Sequence, residues 1–460
     1  MAPDAAVRAP WRWIAAIALV FAALVVPAIL ADGGGSSQAN DMMDYHSIEV
    51  RRLEAGWPAP DLRASFTTTT PGFHLALAGL AKAGLGPLGL RLAAAIAGLG
   101  AWLVVWRVAG AWVGWGRAAL LSAPLALSPY LLGSAVWITT DAAALALACA
   151  TMGVALTGAI AARRGVLAGV MGAGTVLVRQ IMLWASVPAA LQAWARPGHS
   201  LLGRMGVCAV VLLPPVACVA AFFMLWGGSM PPRFQPFHQA TWNPAAFTLA
   251  MALAGVFGVF LLPWVWSALD RPGRLVALSL ALAMAAVAAL PRSDYRKVLP
   301  PDEQRVGTRT EKTWGTPAAD VVKGAGEVGR WGGPLWDAAK AAPAVQGRST
   351  LLVGLSLLGG FVLAGAWMVA DRAGRGRPAA LLLAAMAAMV LAQCLNAQTF
   401  ERYFDPWALL TLGWLSAMGA SRSRTPILTA GVTALALLQL AMSAAFVLRP
   451  AFTGPALGAW

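Results

Sequence analysis

The sequence predicts an all-α protein that crosses a membrane many times. Hydrophobic residues make up 59% of the 460 positions and charged residues only 12%, and the mean hydropathy is +0.68. Apolar runs of about 20 residues, the length at which a helix spans the hydrocarbon core, recur along the chain. Lysine and arginine concentrate in the short loops between these runs, so the formal net charge of +15 indicates membrane orientation and not a nucleic-acid surface.

The apolar runs predict about 13 transmembrane helices. The first run follows Arg8 and Arg12 and resembles a signal peptide, but it is long enough to span, which favours a retained helix. Segment 72–86 is apolar but short, which predicts an interfacial or re-entrant helix. The predicted spans lie at about 12–31, 88–108, 117–137, 141–161, 165–179, 181–194, 205–226, 246–268, 274–290, 350–370, 379–396, 404–420 and 426–448.

The stretch 165–194 is interrupted only by Arg179 and Gln180. It fits either one long tilted helix or two short helices folded back at this dipeptide. The hairpin, combined with a cytoplasmic N-terminus, places every short loop with two or more arginines on the cytoplasmic side. The positive-inside rule therefore favours the hairpin.

This topology gathers the unusual polar segments on the outer face, which predicts one composite site there. We expect an N-terminal transmembrane module, 1–290, that carries a first outer catalytic loop, 32–87. Segment 291–349 is too long for a simple connection and is rich in charge, Gly and Pro, so it predicts an outer-face insert that acts as a lid or an acceptor-binding element. A C-terminal transmembrane module, 350–460, follows.

The first outer loop holds the sharpest candidates for chemistry: Asp41, Asp44, His46 and Arg51. A carboxylate at a membrane surface, partly desolvated by helices, can take a proton from an acceptor hydroxyl as that hydroxyl attacks a sugar. The alternative is that Asp41 caps a helix N-terminus and that His46 is a solvated or hydrogen-bonding loop residue.

Two arginines in apolar surroundings are candidates for binding an anion. Arg179 within a span needs an anionic partner, which is either a lipid phosphate or a protein carboxylate such as Asp141. Arg402 can bind a phosphate and stabilise it as a leaving group, and Tyr403 can add a hydroxyl. The alternative is an Arg-Glu pair, which is common at span ends. Asp141 itself is more typical of a helix N-cap.

His238, the cysteines and the remaining carboxylates give little further indication of function. His238 lies in a Pro-rich loop and is a weak candidate for substrate contact. The four cysteines lie in apolar runs without CxxC spacing, which argues against zinc or a disulfide framework. There is no dense carboxylate cluster, so we predict no obligatory metal and no cofactor.

Five short motifs, NDMMDYH, TTTTPGFH, ITTD, VRQ and ERYF, occur in this order and resemble those of the multi-pass GT-C glycosyltransferases. More narrowly, they are similar to the family of the endoplasmic-reticulum alpha-1,2-glucosyltransferase that uses dolichyl-phosphate glucose, and to its bacterial relatives. The resemblance extends over most of the chain in pieces of three to seven residues or so. It departs at the first motif, where the family's adjacent Asp-Glu is Asp41-Met42, with a further acid at Asp44.

The resemblance implies a GT-C-like helical bundle that transfers a hexose, with inversion, from a polyprenyl-phosphate donor to a lipid-linked or cell-envelope glycan acceptor. Asp41 or Asp44 would be the base. Arg179, Gln180 and Arg402 would hold the donor phosphate, and the site would be lined by His46, Thr70, Asp141 and His238.

Two other functions stay open. A flippase or transporter of lipid-linked saccharides also places Arg in its spans, but it favours internal repeats and a midplane site, which the sequence lacks. A ligase that uses a polyprenyl-diphosphate glycan would need a denser basic cluster. The Ala-, Gly- and Arg-rich, Lys-poor composition is typical of a bacterial GC-rich genome and so predicts an inner-membrane protein whose site faces the periplasm or exterior.

Overall fold

The structure is a computed structural model, and it describes residues 10–196, 198, 200–235, 242–291, 331–396, 399–420 and 425–457. Regular structure in this part of the chain is almost entirely helical, with four strands of two residues each. Six helical segments are long and apolar enough to cross a membrane, or up to eight if each of two bent pairs is one span. The predicted all-α polytopic membrane protein is confirmed.

A helix, or a broken pair of helices, lies at each of the 13 predicted positions. The helices before residue 200 are α1 (Pro10–Ala31), α2 (Ser37–Asp41), α3 (Ser47–Ala55), α4 (Gly72–Lys82), α5 (Pro87–Val113), α6 (Trp115–Ala126), α7 (Pro129–Val136), α8 (Asp141–Leu156), α9 (Ala162–Val178) and α10 (Val187–Trp194).

The remaining described helices are α11 (Leu201–Trp226), α12 (Ala245–Gly258), α13 (Leu262–Ala268), α14 (Arg271–Ala288), α15 (Pro334–Ala341), α16 (Thr350–Ala370), α17 (Gly376–Cys394), α18 (Asp405–Gly419), α19 (Thr425–Ser443) and α20 (Arg449–Thr453). Strand β1 (Trp331–Gly332) pairs in parallel with β4 (Thr399–Phe400), and β2 (Ala344–Val345) pairs antiparallel with β3 (Arg348–Ser349).

Two predicted spans are not straight helices. The chain bends by 77° between α6 and α7 and by 83° between α12 and α13. At the first bend Ser128 caps α7, its side chain accepting from Leu131 N, and Pro129 follows at the start of the helix; Pro263 occupies the first turn of α13. Because proline has no N–H to donate and its ring clashes with the preceding turn, each new helix starts in a new direction.

The predicted helical hairpin at 165–194 is confirmed. α9 ends at Val178, Arg179 has an extended backbone (φ −157°, ψ 108°), and a 3-10 helix, Gln180–Ser186, leads into α10. A Cβ placed on Gly172 would lie only 2.6 Å from Ser186 Oγ, so the chain returns along α9. The bend therefore presents Arg179 and Gln180 at one end of the bundle.

The segment 72–86 forms α4, whose 11 residues span about 16 Å. This is too short to cross a membrane, in line with the prediction. Most of the predicted insert 291–349 lies outside the described residues. Its last part, which contains β1, α15 and the β2-β3 hairpin, packs where β4 leads into α18. The division into three modules stays a prediction.

Candidate functional site

Asp41 lies where α2 gives way to a π-helical turn, Met42–His46, before α3 begins. The cap of α2 is Ser36, whose Oγ accepts a hydrogen bond from Ala39 N at 3.0 Å. Asp41 precedes the π-helical turn but makes no side-chain cap hydrogen bond there, so the alternative that its side chain caps a helix is wrong. Its carboxylate forms an ion pair with Arg402, which is 361 positions away in the sequence. The first outer loop and the ERYF segment thus meet at one point.

α2 is fixed in place by a close approach to α7. Gln38 Nε2 donates to the carbonyl of Tyr130 at 3.2 Å, and the Gln38 amide lies against Gly133, where a Cβ would overlap it. Because Gln38 is buried and only one turn from Asp41, this contact sets the direction of the Asp41 side chain.

Arg179 and Asp141 form the second ion pair of the site. Asp141 is the first residue of α8, and the preceding residue, Thr140, makes no side-chain cap; instead Ser134 Oγ accepts from Ala142 N at 2.8 Å. Asp141 is therefore not the N-cap of α8, although its charge does lie in the first turn, at the positive end of the helix. The alternative that Arg179 pairs with Asp141 is confirmed.

The two ion pairs share one aromatic ring. The guanidinium of Arg179 lies 5.2 Å from the ring centroid of Tyr403, and that of Arg402 lies 5.4 Å from it. Both distances are within the range of cation–π attraction. Two guanidinium groups and two carboxylates are thus held around Tyr403.

These groups form the wall of a cavity, called here the site pocket, of ≈ 450 Å³ including its open mouth. The pocket has a charged side and an apolar side. It is lined by Tyr130, Leu131, Asp141, Ala142, Leu145, Arg179, Met182, Gln393, Arg402, Tyr403, Pro406 and Trp407. Arg402 Nε is buried and has no hydrogen-bond partner among the described residues, so this lining residue keeps one unused donor.

Gln180 holds loops together. Its Oε1 accepts from Thr70 N at 3.0 Å, and its Nε2 donates to the carbonyls of Thr68 at 2.7 Å and Ser229 at 3.2 Å. Thr70 Oγ1 donates to the carbonyl of Val176 at 2.5 Å. The polar groups of Gln180 and Thr70 are thus used in fixing the Thr run beside Arg179.

His46 forms a hydrogen-bonded pair with His74, the last residue of the TTTTPGFH motif, for which no role was predicted. His46 Nδ1 and His74 Nε2 lie 2.8 Å apart, and the two rings are stacked with centroids 5.1 Å apart. Burial, followed by the charges of His74 and Arg179, holds the pKa of His46 well below its usual value, and burial lowers the pKa of His74 to about 4. Both imidazoles are therefore neutral at pH 7, and one proton is shared between them.

Glu401 anchors the end of the insert beside Arg402. Its Oε1 accepts from Trp336 N at 2.9 Å, and the buried Trp336 indole donates to the carbonyl of Thr399 at 2.9 Å. Burial raises the pKa of Glu401 to about 7. The segment that carries Arg402 is therefore held from both sides, by Asp41 and by residues 331–336.

The other selected residues are less closely connected with the pocket. Asp44 lies in the π-helical turn and is half-buried, and Arg51 lies on the exposed side of α3, where Arg52 pairs with the buried Glu49 at 2.8 Å. His238 lies outside the described residues. Tyr130, Gln393 and Trp407 line the pocket but were not selected, since they carry no charge and form no motif.

A bundle of membrane-length helices with a half-buried charged pocket at one end defines an integral membrane protein with a composite polar site. No protein family model matches the chain, and no curated protein sequence matches it.

Two solved structures are similar to the chain. The crystal structure of ArnT from Cupriavidus metallidurans in the apo state matches with 15% identity and a TM-score of 0.36, over 96% of this chain and 85% of that chain. The archaeal oligosaccharyltransferase AglB from Archaeoglobus fulgidus, in complex with an inhibitory peptide and a dolichol-phosphate, matches with 15% identity and a TM-score of 0.40, over 96% of this chain and 56% of that chain. The likeness is distant, so the function proposed for this chain rests on the residues of the pocket.

Proposed function

We propose that the chain is a membrane glycosyltransferase that moves a hexose, with inversion, from a polyprenyl-phosphate donor to a lipid-linked or cell-envelope glycan acceptor. The observation that carries the proposal is the ion pair of Asp41 with Arg402 beside a second guanidinium, Arg179, in one pocket. A proton acceptor and two phosphate-binding groups are what glycosyl transfer from a phosphate requires.

The guanidinium groups supply the phosphate site. Arg179 and Arg402 lie on the same aromatic ring, and the Nε of Arg402 is without a partner among the described residues. Charge-assisted hydrogen bonds from arginine to phosphate are short and often bidentate. Both groups are more than three-quarters buried, so their attraction for an anion is less screened than in water.

The carboxylate supplies the base. Asp41 takes the proton of the acceptor hydroxyl while the acceptor oxygen forms a bond to the anomeric carbon of the hexose. The bond between that carbon and the phosphate oxygen breaks, and the polyprenyl phosphate leaves with the electron pair, stabilised by Arg179 and Arg402. Asp44, three residues further along and within the π-helical turn, is the alternative base.

The position of the pocket supports an outer-face reaction. Predicted topology places the end of the bundle that holds Arg179 and Arg402 on the non-cytoplasmic side, which in a bacterial inner membrane is the periplasm. His46, Thr70, Gln180 and Asp141 position the charged groups and the loops that carry them. A flippase for lipid-linked saccharides and a ligase that uses a polyprenyl-diphosphate glycan stay the competing functions.

The test uses the purified full chain in proteoliposomes with a panel of radiolabelled polyprenyl-phosphate hexoses and a lipid-linked glycan extract. We expect release of polyprenyl phosphate and transfer of label to the acceptor for one hexose, and loss of transfer in Arg402→Gln. Movement of an unchanged donor across the bilayer without transfer would support the flippase. Transfer from a polyprenyl-diphosphate glycan alone would support the ligase.

A further inference from the structure

A second cavity lies at the other end of the helices that carry the site pocket. α8 runs from Asp141 at the site pocket to Leu156 at this cavity, and α17 runs from Arg377 at this cavity to Gln393 at the site pocket. The 16 residues of α8 cover about 24 Å, which approaches the ~30 Å of a hydrocarbon core. The two cavities therefore face opposite surfaces of the membrane.

The charge of this cavity is positive. Arg196, after α10, and Arg377, at the start of α17, line it, and none of its ten lining residues is acidic. Arg196 is oriented by donating to the carbonyl of Ile160 at 3.4 Å. We call this space of ≈ 740 Å³, open mouth included, the basic cavity.

A third guanidinium stands beside the basic cavity. Arg164 lies against Gly158 and donates to Thr157 Oγ1 at 3.2 Å, and both of these partners line the cavity. The acid of the adjoining loop, Asp371, lies against Gly376 and does not line the cavity. The balance of charge at the mouth is therefore basic.

Two features favour a lipid over a soluble anion. Leu191 and Trp194, on the same helix α10 as the lining residue Gln192, are 43% and 49% exposed, so this helix offers apolar surface to an acyl chain. Gln192 Oε1 is buried without a hydrogen-bond partner among the described residues, and a headgroup hydroxyl can supply that missing donor.

We infer that the basic cavity binds the phosphate headgroup of an anionic phospholipid in the leaflet opposite the site pocket. The lipid bridges the loop after α8, the end of α10 and the start of α17. These are the ends of helices whose other ends hold Asp141, the bend at Arg179 and Gln393. Basic cavities between helices on the positively charged side of a membrane protein are suited to anionic headgroups.

The test compares lipid binding by the full chain and by matched arginine variants. The purified protein in maltoside micelles is titrated with phosphatidylglycerol, phosphatidylcholine or glycerol 3-phosphate, and the thermal midpoint is followed. Arg196→Gln/Arg377→Gln removes the cavity charges. Arg271→Gln is the control, because Arg271 is exposed at the same end of the bundle, next to the 2.5 Å ion pair of Asp270 with Arg372.

We expect phosphatidylglycerol, and not phosphatidylcholine, to raise the midpoint of the wild type and of Arg271→Gln. The double variant should need about 30-fold more phosphatidylglycerol for the same shift, since two basic groups near an anionic headgroup contribute about this factor. If the double variant melts abnormally without lipid, Arg377→Gln alone should need about fivefold more. An unchanged titration in the variants overturns the inference, and so does a full shift with glycerol 3-phosphate, which would assign the cavity to soluble phosphate.

Discussion

Replacing Asp41 by asparagine separates the role of a base from that of an ion-pair partner, because the site pocket contains a matched control. Asp41 and Asp141 each have a side chain that is 26% exposed, and each is paired with an arginine of the pocket. Asparagine keeps the size of the side chain and removes its charge. Breaking a buried ion pair costs about 3–5 kcal/mol of stability, and an exposed pair contributes about 1 kcal/mol or less. For these partly exposed pairs we therefore expect the free energy of unfolding to fall by about 2 kcal/mol in either variant.

The two variants should differ in catalysis, although they should lose similar stability. Asp41→Asn removes the proton acceptor, so kcat for hexose transfer should fall by roughly 10²- to 10⁴-fold. Asp141→Asn leaves the acceptor in place and frees Arg179, so we expect a changed KM for the donor and a kcat within about tenfold of wild type. The assay is transfer of labelled hexose in proteoliposomes, with thermal midpoints measured on the same samples. Equal losses of kcat in the two variants would show that Asp41 acts only as an ion-pair partner; a loss confined to Asp44→Asn would move the base to that residue.

Three further changes test the supports of the site. The pKa of Glu401 is raised from 4.5 to about 7. Its protonated form therefore contributes at most about 3 kcal/mol to stability, which is full below pH 4.5 and is lost as pH rises through 7. Glu401→Gln should have a higher thermal midpoint than the wild type at pH 8 and not at pH 4.5, and parallel curves of midpoint against pH would contradict this. The pKa of His74 is lowered from 6.5 to about 4, so this residue alone should cost the wild type up to about 3 kcal/mol as pH falls from 6.5 to 4. His74→Leu should lose correspondingly less stability over this range in denaturant titrations, although buried His46, whose pKa is also lowered, keeps its own contribution. Gly133→Ala should destabilise by roughly 1–3 kcal/mol and reduce transfer by displacing Gln38. Gly354→Ala is the control: a Cβ there meets nothing within 4 Å, so it should cost neither stability nor transfer.

The sequence predicted the helices well because hydrophobic length and arginine position are local signals. It also located the hairpin bend, since a polar Arg-Gln dipeptide in a 30-residue apolar run favours a turn at the membrane surface. The bends before α7 and α13 were not predicted, although Pro129 and Pro263 mark them, because a proline in an apolar run is also compatible with a kinked span.

The composition of the site was predicted better than its pairing. Asp41, Arg179 and Arg402 do meet in the structure, as the order of motifs and the topology indicated. Which carboxylate faces which guanidinium depends on the rotation of α2 and α8 about their axes, and no sequence pattern records that rotation. His74 lies within the TTTTPGFH motif, but no role was predicted for it, because that role depends on its contact with His46.

The pairing has a consequence for the proposed reaction. With two guanidinium groups and two carboxylates, the charges of the ion pairs balance, and Asp41 is engaged by Arg402 before any substrate arrives. A donor phosphate brings negative charge and competes for Arg402, so binding of the donor weakens the hold on the Asp41 carboxylate. The base then becomes available to an acceptor hydroxyl only when a leaving group is in place. This order of events can be tested with Arg402→Lys, which keeps the charge but loses the planar fork. We expect this variant to raise the KM for the donor and also to lower kcat. A site that bound its two substrates independently would show only the higher KM.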